Sequence, residues 1–141
     1  MGMQSKYVWM NGEMVEYEKA TIHFLTPALH YGIGVFEGIR SYATADGPAI
    51  FRLKDHAERL VGSARVIGFR ALPYSAEEIA EAIKMVVEVN GFGECYIRPL
   101  IYLTGGGWNL NIDGGTPGIG IAAWEWTNYL GNDAIEHGVR A

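Results

Sequence analysis

Two short stretches of this chain set arginines among aromatic rings at strand spacing. In Phe36-Glu-Gly-Ile-Arg-Ser-Tyr42, alternation along a strand groups Phe36, Gly38, Arg40 and Tyr42 on one face and Glu37, Ile39 and Ser41 on the other. The same rule over residues 94–104 groups Tyr96, Arg98, Leu100 and Tyr102. A guanidinium carries five donors in one plane, which suits two-point contact with a carboxylate; tyrosine hydroxyls add donors, and the rings exclude water. Such a set fits a pocket for a small acid, and it equally fits two surface arginines laid over aromatic faces. Glycine costs about 0.5 to 1 kcal/mol inside an element, so the three in His30-Tyr-Gly-Ile-Gly-Val-Phe-Glu-Gly-Ile-Arg40 call for a reason. At 38, glycine leaves room above the sheet.

Other chemistries have less support. Gly105-Gly-Gly-Trp-Asn-Leu-Asn-Ile112 could cradle an anion with backbone amides, but it matches neither GxGxxG nor a P-loop and no lysine follows, so it reads as a flexible loop. The histidines at 23, 30, 56 and 137 lack HExxH-like spacing and there is a single cysteine, which argues against zinc. No GxSxG context marks a nucleophilic serine. Arg59, in Lys54-Asp-His-Ala-Glu-Arg-Leu60, lies opposite the apolar stripe of its helix; taken alone it pairs with Asp55 at i,i+4, a contact of about 0.3 to 0.5 kcal/mol.

The elements that must position these residues follow from patterning. Asn11-Gly12 is a tight-hairpin turn between strands at 7–10 and 13–17, and a second hairpin pairs 36–42 with 48–53. Ala57, Leu60, Val61, Ala64 and Ile67 recur at helical spacing up to Gly68. Ser75 and Glu78 form a capping box that opens a second helix, with Ile79, Ala82, Ile83, Val86 and Val87 as its stripe and Asn90-Gly91 as its stop. Strands return at 94–104 and 118–126. The order predicts an α+β fold, a mostly antiparallel sheet with two helices on one face.

Composition sets the limits. The 141 residues, 49% hydrophobic, fit one ordinary domain with its own core. A lone cysteine, Cys95, excludes an internal disulfide, reads as a buried apolar side chain, and suits a reducing cytoplasm. A net charge of -5 without a basic cluster argues against nucleic acid as partner. No apolar run approaches the roughly 20 residues of a membrane span, and the start has no signal-peptide pattern.

In this order the pieces resemble the amino-terminal part of branched-chain amino acid aminotransferases, pyridoxal-phosphate enzymes of fold type IV. The motifs that carry the resemblance are Trp9-Met-Asn-Gly12, Leu29-His-Tyr-Gly-Ile-Gly-Val-Phe-Glu-Gly-Ile-Arg40, Phe51-Arg-Leu-Lys-Asp-His-Ala-Glu-Arg-Leu60, Tyr96-Ile-Arg-Pro99 and Trp124-Glu-Trp-Thr-Asn-Tyr-Leu-Gly131. The resemblance implies the small domain of that fold type over 1–126, an interdomain linker over 127–136 and the start of a larger domain at 137–141. It implies that Arg59 holds the phosphate of pyridoxal 5'-phosphate. Phe36, Gly38, Trp126 and Tyr129 would line an aliphatic pocket, Tyr31 would enter it from the neighbouring subunit of a dimer, and Arg40, Tyr96 and Arg98 would read carboxylates. The 105–112 loop would close over the partner's site.

The implied reaction moves the amino group of L-leucine, L-isoleucine or L-valine to 2-oxoglutarate, in a cytoplasmic homo-oligomer built from dimers. The chain departs from the family in one large respect. The lysine that anchors the cofactor lies in the family's larger carboxy-terminal domain, and Lys6, Lys19, Lys54 and Lys84 have no matching context. Residues 1–141 alone are therefore expected not to transaminate. D-amino-acid transaminase and aminodeoxychorismate lyase, of the same fold type, are the nearest rivals, and a non-catalytic binding or dimerisation module is the reading of a different class.

Overall fold

A computed structural model of the chain describes residues 5–106, 114–125 and 138. The first hairpin joins β1 (Tyr7–Met10) to β2 (Glu13–Glu16). Its turn takes the positive φ that Asn and Gly tolerate, 50° at Asn11 and 102° at Gly12. A 3-10 turn at Tyr17–Lys19 and a short helix α1 (Pro27–Tyr31) precede β3 (Gly34–Phe36), β4 (Ile39–Thr44) and β5 (Gly47–Ile50). Then come α2 (Leu53–Val66), α3 (Ala76–Asn90), β6 (Cys95–Gly105) and β7 (Thr116–Glu125). The strands form one antiparallel sheet in the order β2-β1-β7-β6-β4-β5, with β3 also paired to β6. The α+β architecture is as the patterning predicts, with α1 as an addition that its five residues made too short for a periodic signal.

One face of the sheet is the core. Ile39, Ile97, Ile101, Leu103, Ile119 and Ile121 meet Leu60, Ile79, Ile83 and Val86 from α2 and α3, all within 1% of full burial. Each such side chain contributes about 1.5 to 3 kcal/mol relative to exposure. The predicted stripes are buried as expected, except that Ile67 falls just beyond α2 and is exposed. The capping box is formed: the Ser75 hydroxyl accepts from the Glu78 amide at 3.2 Å, and the Ser75 amide donates to Glu78 Oε2 at 2.7 Å.

The strand predicted at 36–42 is interrupted at Glu37 and Gly38. The cause lies opposite. Phe36 faces Leu100 and Ile39 faces Ile97 in a single unshifted register, which sets Pro99 against Glu37. The Glu37 amide donates to the Pro99 carbonyl at 3.1 Å, but proline has no N–H to return the bond. Alternation therefore survives the break: Ile39 and Ser41 are fully buried, while Phe36 and Tyr42 are exposed on the other side. The strand predicted at 48–53 also ends early, at Ile50, because Arg52 adopts φ 47° and Leu53 starts α2.

Cys95 is fully buried between Ser41 and Glu125, and burial pushes its thiol up to about 11. A thiol held there is neutral and shielded at ordinary pH. Cys95 is therefore expected not to react with an aromatic disulfide reagent in the folded chain at about pH 8. It reacts fully once urea unfolds the protein; fast labelling of the native state would contradict this placement.

Candidate functional site

The face of the sheet turned away from α2 and α3 gathers most of the predicted residues. Across β6, Tyr96 stands opposite Arg40 on one side and Trp124 on the other, with the Tyr96 and Trp124 ring centroids 5.0 Å apart. Arg98 lies over the Phe36 ring, its guanidinium carbon 4.3 Å from the centroid, and Nη2 donates to the Tyr96 hydroxyl at 3.0 Å. Arg98 Nε is buried, and no hydrogen bond reaches it among the described residues. An arginine held by an aromatic ring and a hydroxyl, with a donor to spare, is prepared for an anionic partner.

Gly38 completes this arrangement through what it omits. A Cβ at 38 would lie 2.2 Å from the Tyr96 hydroxyl and 3.0 Å from its ring carbon, so the position of Tyr96 depends on glycine there. Beyond Arg98 the same face continues through Leu100, Tyr102, Gly120 and Ala122. With Val8, Met10 and Ile22 they line an open cleft of about 460 Å³. Arg40 is at the margin: its guanidinium lies 5.0 Å from the Tyr42 ring centroid and its Nη2 donates to Glu94 at 3.1 Å.

Arg59 belongs to a different cluster. The predicted Asp55 to Arg59 pair is replaced, because Asp55 instead accepts from Arg52 Nε at 2.6 Å, a bond that holds its carboxyl below the usual range. Arg59 reaches across to Glu37, with Nε 2.6 Å from Oε1 and Nη2 2.5 Å from Oε2. His56, one turn earlier on α2, lies with Nδ1 2.9 Å from the same Oε2. A carboxylate can only accept, so Nδ1 carries the proton and donates. Adjacent residues thus point opposite ways, Glu37 toward α2 and Gly38 toward Tyr96. Sequence reasoning placed Glu37 on the correct face but assigned it no role.

The hydrogen bond from Arg59, opposed by burial and aided by His56, holds the Glu37 carboxyl below its ordinary 4.5. A depressed carboxyl stabilises the fold fully above its unfolded value and loses that contribution as pH falls through the folded one. Urea midpoints are therefore expected to drop between about pH 6 and about pH 3, and to drop less in Glu37→Gln. Identical slopes in both proteins would refute the linkage.

Tyr31 is carried by α1, beside His30, rather than by the sheet. Trp126, Tyr129, the linker at 127–136 and most of the 105–112 loop lie outside the described residues. The four lysines are described. Lys19, Lys54 and Lys84 form exposed pairs with Glu16, Glu58 and Glu81, and Lys6 immediately precedes β1, where its amide donates to Asn90 Oδ1. No cluster of His, Cys, Asp and Glu suited to a metal occurs among the described residues, and no described helix is long and apolar enough to cross a membrane.

Comparisons with known proteins bear on this geometry. The branched-chain-amino-acid aminotransferase of Pseudomonas aeruginosa is 43% identical over 133 residues, 94% of this chain and 43% of that protein. The crystal structure of the Escherichia coli branched-chain amino acid aminotransferase superimposes with a TM-score of 0.87 at 42% identity, over 92% of this chain and 43% of that one. A T.th. branched-chain amino acid aminotransferase complexed with N-(5'-phosphopyridoxyl)-L-glutamate superimposes with a TM-score of 0.83 at 47% identity, over 89% and 42% respectively. The chain thus spans less than half the length of the relatives it matches. Residues 34–138 match the family model for amino-transferase class IV, a span that holds the Arg98 face and the Glu37 cluster alike, and the chain belongs to that family.

Proposed function

We propose that this chain is the amino-terminal domain of a pyridoxal-phosphate aminotransferase that moves the amino group of L-leucine, L-isoleucine or L-valine to 2-oxoglutarate. The observation that carries the reading is Arg98, stacked on Phe36, bonded to Tyr96 and keeping a buried Nε without a partner among the described residues. Its guanidinium binds the carboxylate that both kinds of substrate share. Phe36 and the apolar cleft beside Leu100 take the aliphatic side chain, and Arg40 supplies a second cation at the margin, released from Glu94 when a second carboxylate arrives. Trp126 and Tyr129 complete the aliphatic wall, and Tyr31 enters it from a second subunit of a dimer in the cytoplasm.

Arg59 fits the cofactor's phosphate, because its bonds to Glu37 run through Nε and Nη2, which leaves Nη1 outside that pairing, and its side chain is 65% exposed. Pyridoxal phosphate, when bound, supplies the electron sink that a carbon acid needs at neutral pH. This chain's residues orient the substrate and exclude water; the proton transfer requires a lysine, and the chain brings none to the site. The related enzyme bound to a phosphopyridoxyl-glutamate supports both cofactor and glutamate as ligands of the whole protein.

The test is an amino-transfer assay with pyridoxal phosphate and 2-oxoglutarate on the longest product of the reading frame and on residues 1–141, offering L-leucine and D-alanine separately. Turnover of L-leucine by the longer product alone is expected. Preference for D-alanine would move the assignment to the neighbouring D-amino-acid enzymes, and sustained turnover by 1–141 would refute the need for a lysine from elsewhere.

A further inference from the structure

Glu37 is the only buried carboxylate among the described residues, and the substrate face does not use it. Burying a carboxylate is costly unless its oxygens are bonded, and here all the side-chain partners come from one face of α2. Arg59 donates to both oxygens through Nε and Nη2, and His56 donates to Oε2. The guanidinium is therefore gripped along one side. Nη2 also lies 3.4 Å from His56 Nδ1, so the edge left turned away from the carboxylate is led by Nη1, on a side chain that is 65% exposed. An exposed arginine otherwise samples many rotamers and must give them up on binding.

We infer that Glu37 is a positioning residue for the cofactor phosphate: it fixes the Arg59 guanidinium side-on and presents the Nη1–Nη2 edge to the phosphate, with His56 fixing the carboxylate in turn. This rests on the reading of Arg59 as the phosphate ligand. Two effects of Glu37 oppose each other. Its charge repels a phosphate, whereas its grip removes the freedom that Arg59 would lose on binding. Replacement by aspartate separates them, because it keeps the charge while one methylene less of reach breaks the two-point contact.

The experiment titrates the ligand-free longest product of the reading frame, by quenching of tryptophan fluorescence, with pyridoxal phosphate and with pyridoxal, which lacks the phosphate. Glu37→Asp is expected to weaken pyridoxal phosphate by about 5- to 10-fold while leaving pyridoxal unchanged. The effect should vanish in the Arg59→Lys background, where no fork remains to be aligned. Wild-type affinity in Glu37→Asp together with tighter binding in Glu37→Gln would show that only charge matters, and would overturn the inference. Equal weakening of both ligands would reduce Glu37 to a structural role and overturn it too. If Arg59→Lys alone leaves pyridoxal phosphate binding intact, the reading of Arg59 itself fails, an outcome distinct from the other two.

Discussion

Asn90→Ala is expected to lower the unfolding free energy of the chain by about 2 to 4 kcal/mol, the sum of several buried groups left unpaired and a small cavity. The Asn90 side chain closes α3 onto β1. Its Oδ1 accepts from the amides of Lys6 and Tyr7 at 2.7 and 3.0 Å, and its Nδ2 donates to the carbonyls of Tyr7 and Val86 at 3.0 and 2.7 Å. All the bonding capacity of the amide is used. These bonds matter because they hold the Tyr7 end of β1, whereas its ties to β7 are at the other end: Trp9 and Met10 pair with Ile121 and Gly120, and Asn11 donates its amide to the Ile119 carbonyl at 2.9 Å and accepts from the Ile119 amide at 2.8 Å. Ser5 adds one further tie, its hydroxyl accepting from the Ala123 amide at 3.1 Å and donating to the Ala123 carbonyl. Without Asn90, β1 and its hairpin should loosen first. Urea denaturation gives the loss, and amide exchange at Tyr7 should accelerate more than exchange on β6. A change under about 0.5 kcal/mol would mean that water replaces the side chain without penalty. Asn90→Asp offers a check, since it keeps the acceptor for two amides but sets a carboxylate against two carbonyls, and it is expected to be destabilising as well.

The sequence marked Asn90 only as the stop of a helix, and the difference shows what a linear reading reaches. Local signals were legible. Helical stripes, the Ser75 and Glu78 box and the Asn11-Gly12 turn each depend on neighbours within about one turn of chain, and, Ile67 apart, each appears where patterning places it. Alternation assigned Phe36, Gly38 and Arg40 to the face opposite Ile39 and Ser41, and the sheet keeps that assignment. What escaped notice depends on register across the sheet. The break at Glu37 and Gly38 arises from Pro99, 62 positions beyond Glu37, and nothing local to 36–42 announces it. Arg59 illustrates the same limit: Asp55 is its natural neighbour on an isolated helix, but the buried Glu37 on the sheet offers a stronger, doubly bonded partner. Residues that act through partners distant in sequence become visible only once the strands are paired.

Gly38→Ala should leave the fold nearly intact and impair catalysis, and this is the sharpest test of the proposed substrate face. Gly38 is not held in the left-handed region; space is what it provides. The added methyl meets the Tyr96 hydroxyl at 2.2 Å and the ring carbon bearing it at 3.0 Å. That is the far end of a half-buried side chain, so the ring can swing aside, and the stability change should stay within about 1 kcal/mol. Function has no such tolerance. Moving the hydroxyl breaks its bond to Arg98 Nη2 and disturbs the stack on Trp124, which leaves Arg98 held by Phe36 alone. A displacement of about 1 Å in a positioning group can cost about 100-fold in rate, and that is the expected fall in kcat/KM for both L-leucine and 2-oxoglutarate in the longest product of the reading frame. Tyr96→Phe is expected to lose less, because it removes the hydroxyl without moving the ring. If Gly38→Ala retains parental kcat/KM for both substrates, Arg98 and Tyr96 do not read the carboxylate, and the anion must be bound elsewhere. If leucine alone suffers, the methyl has narrowed the aliphatic side of the cleft while the arginine has kept its place.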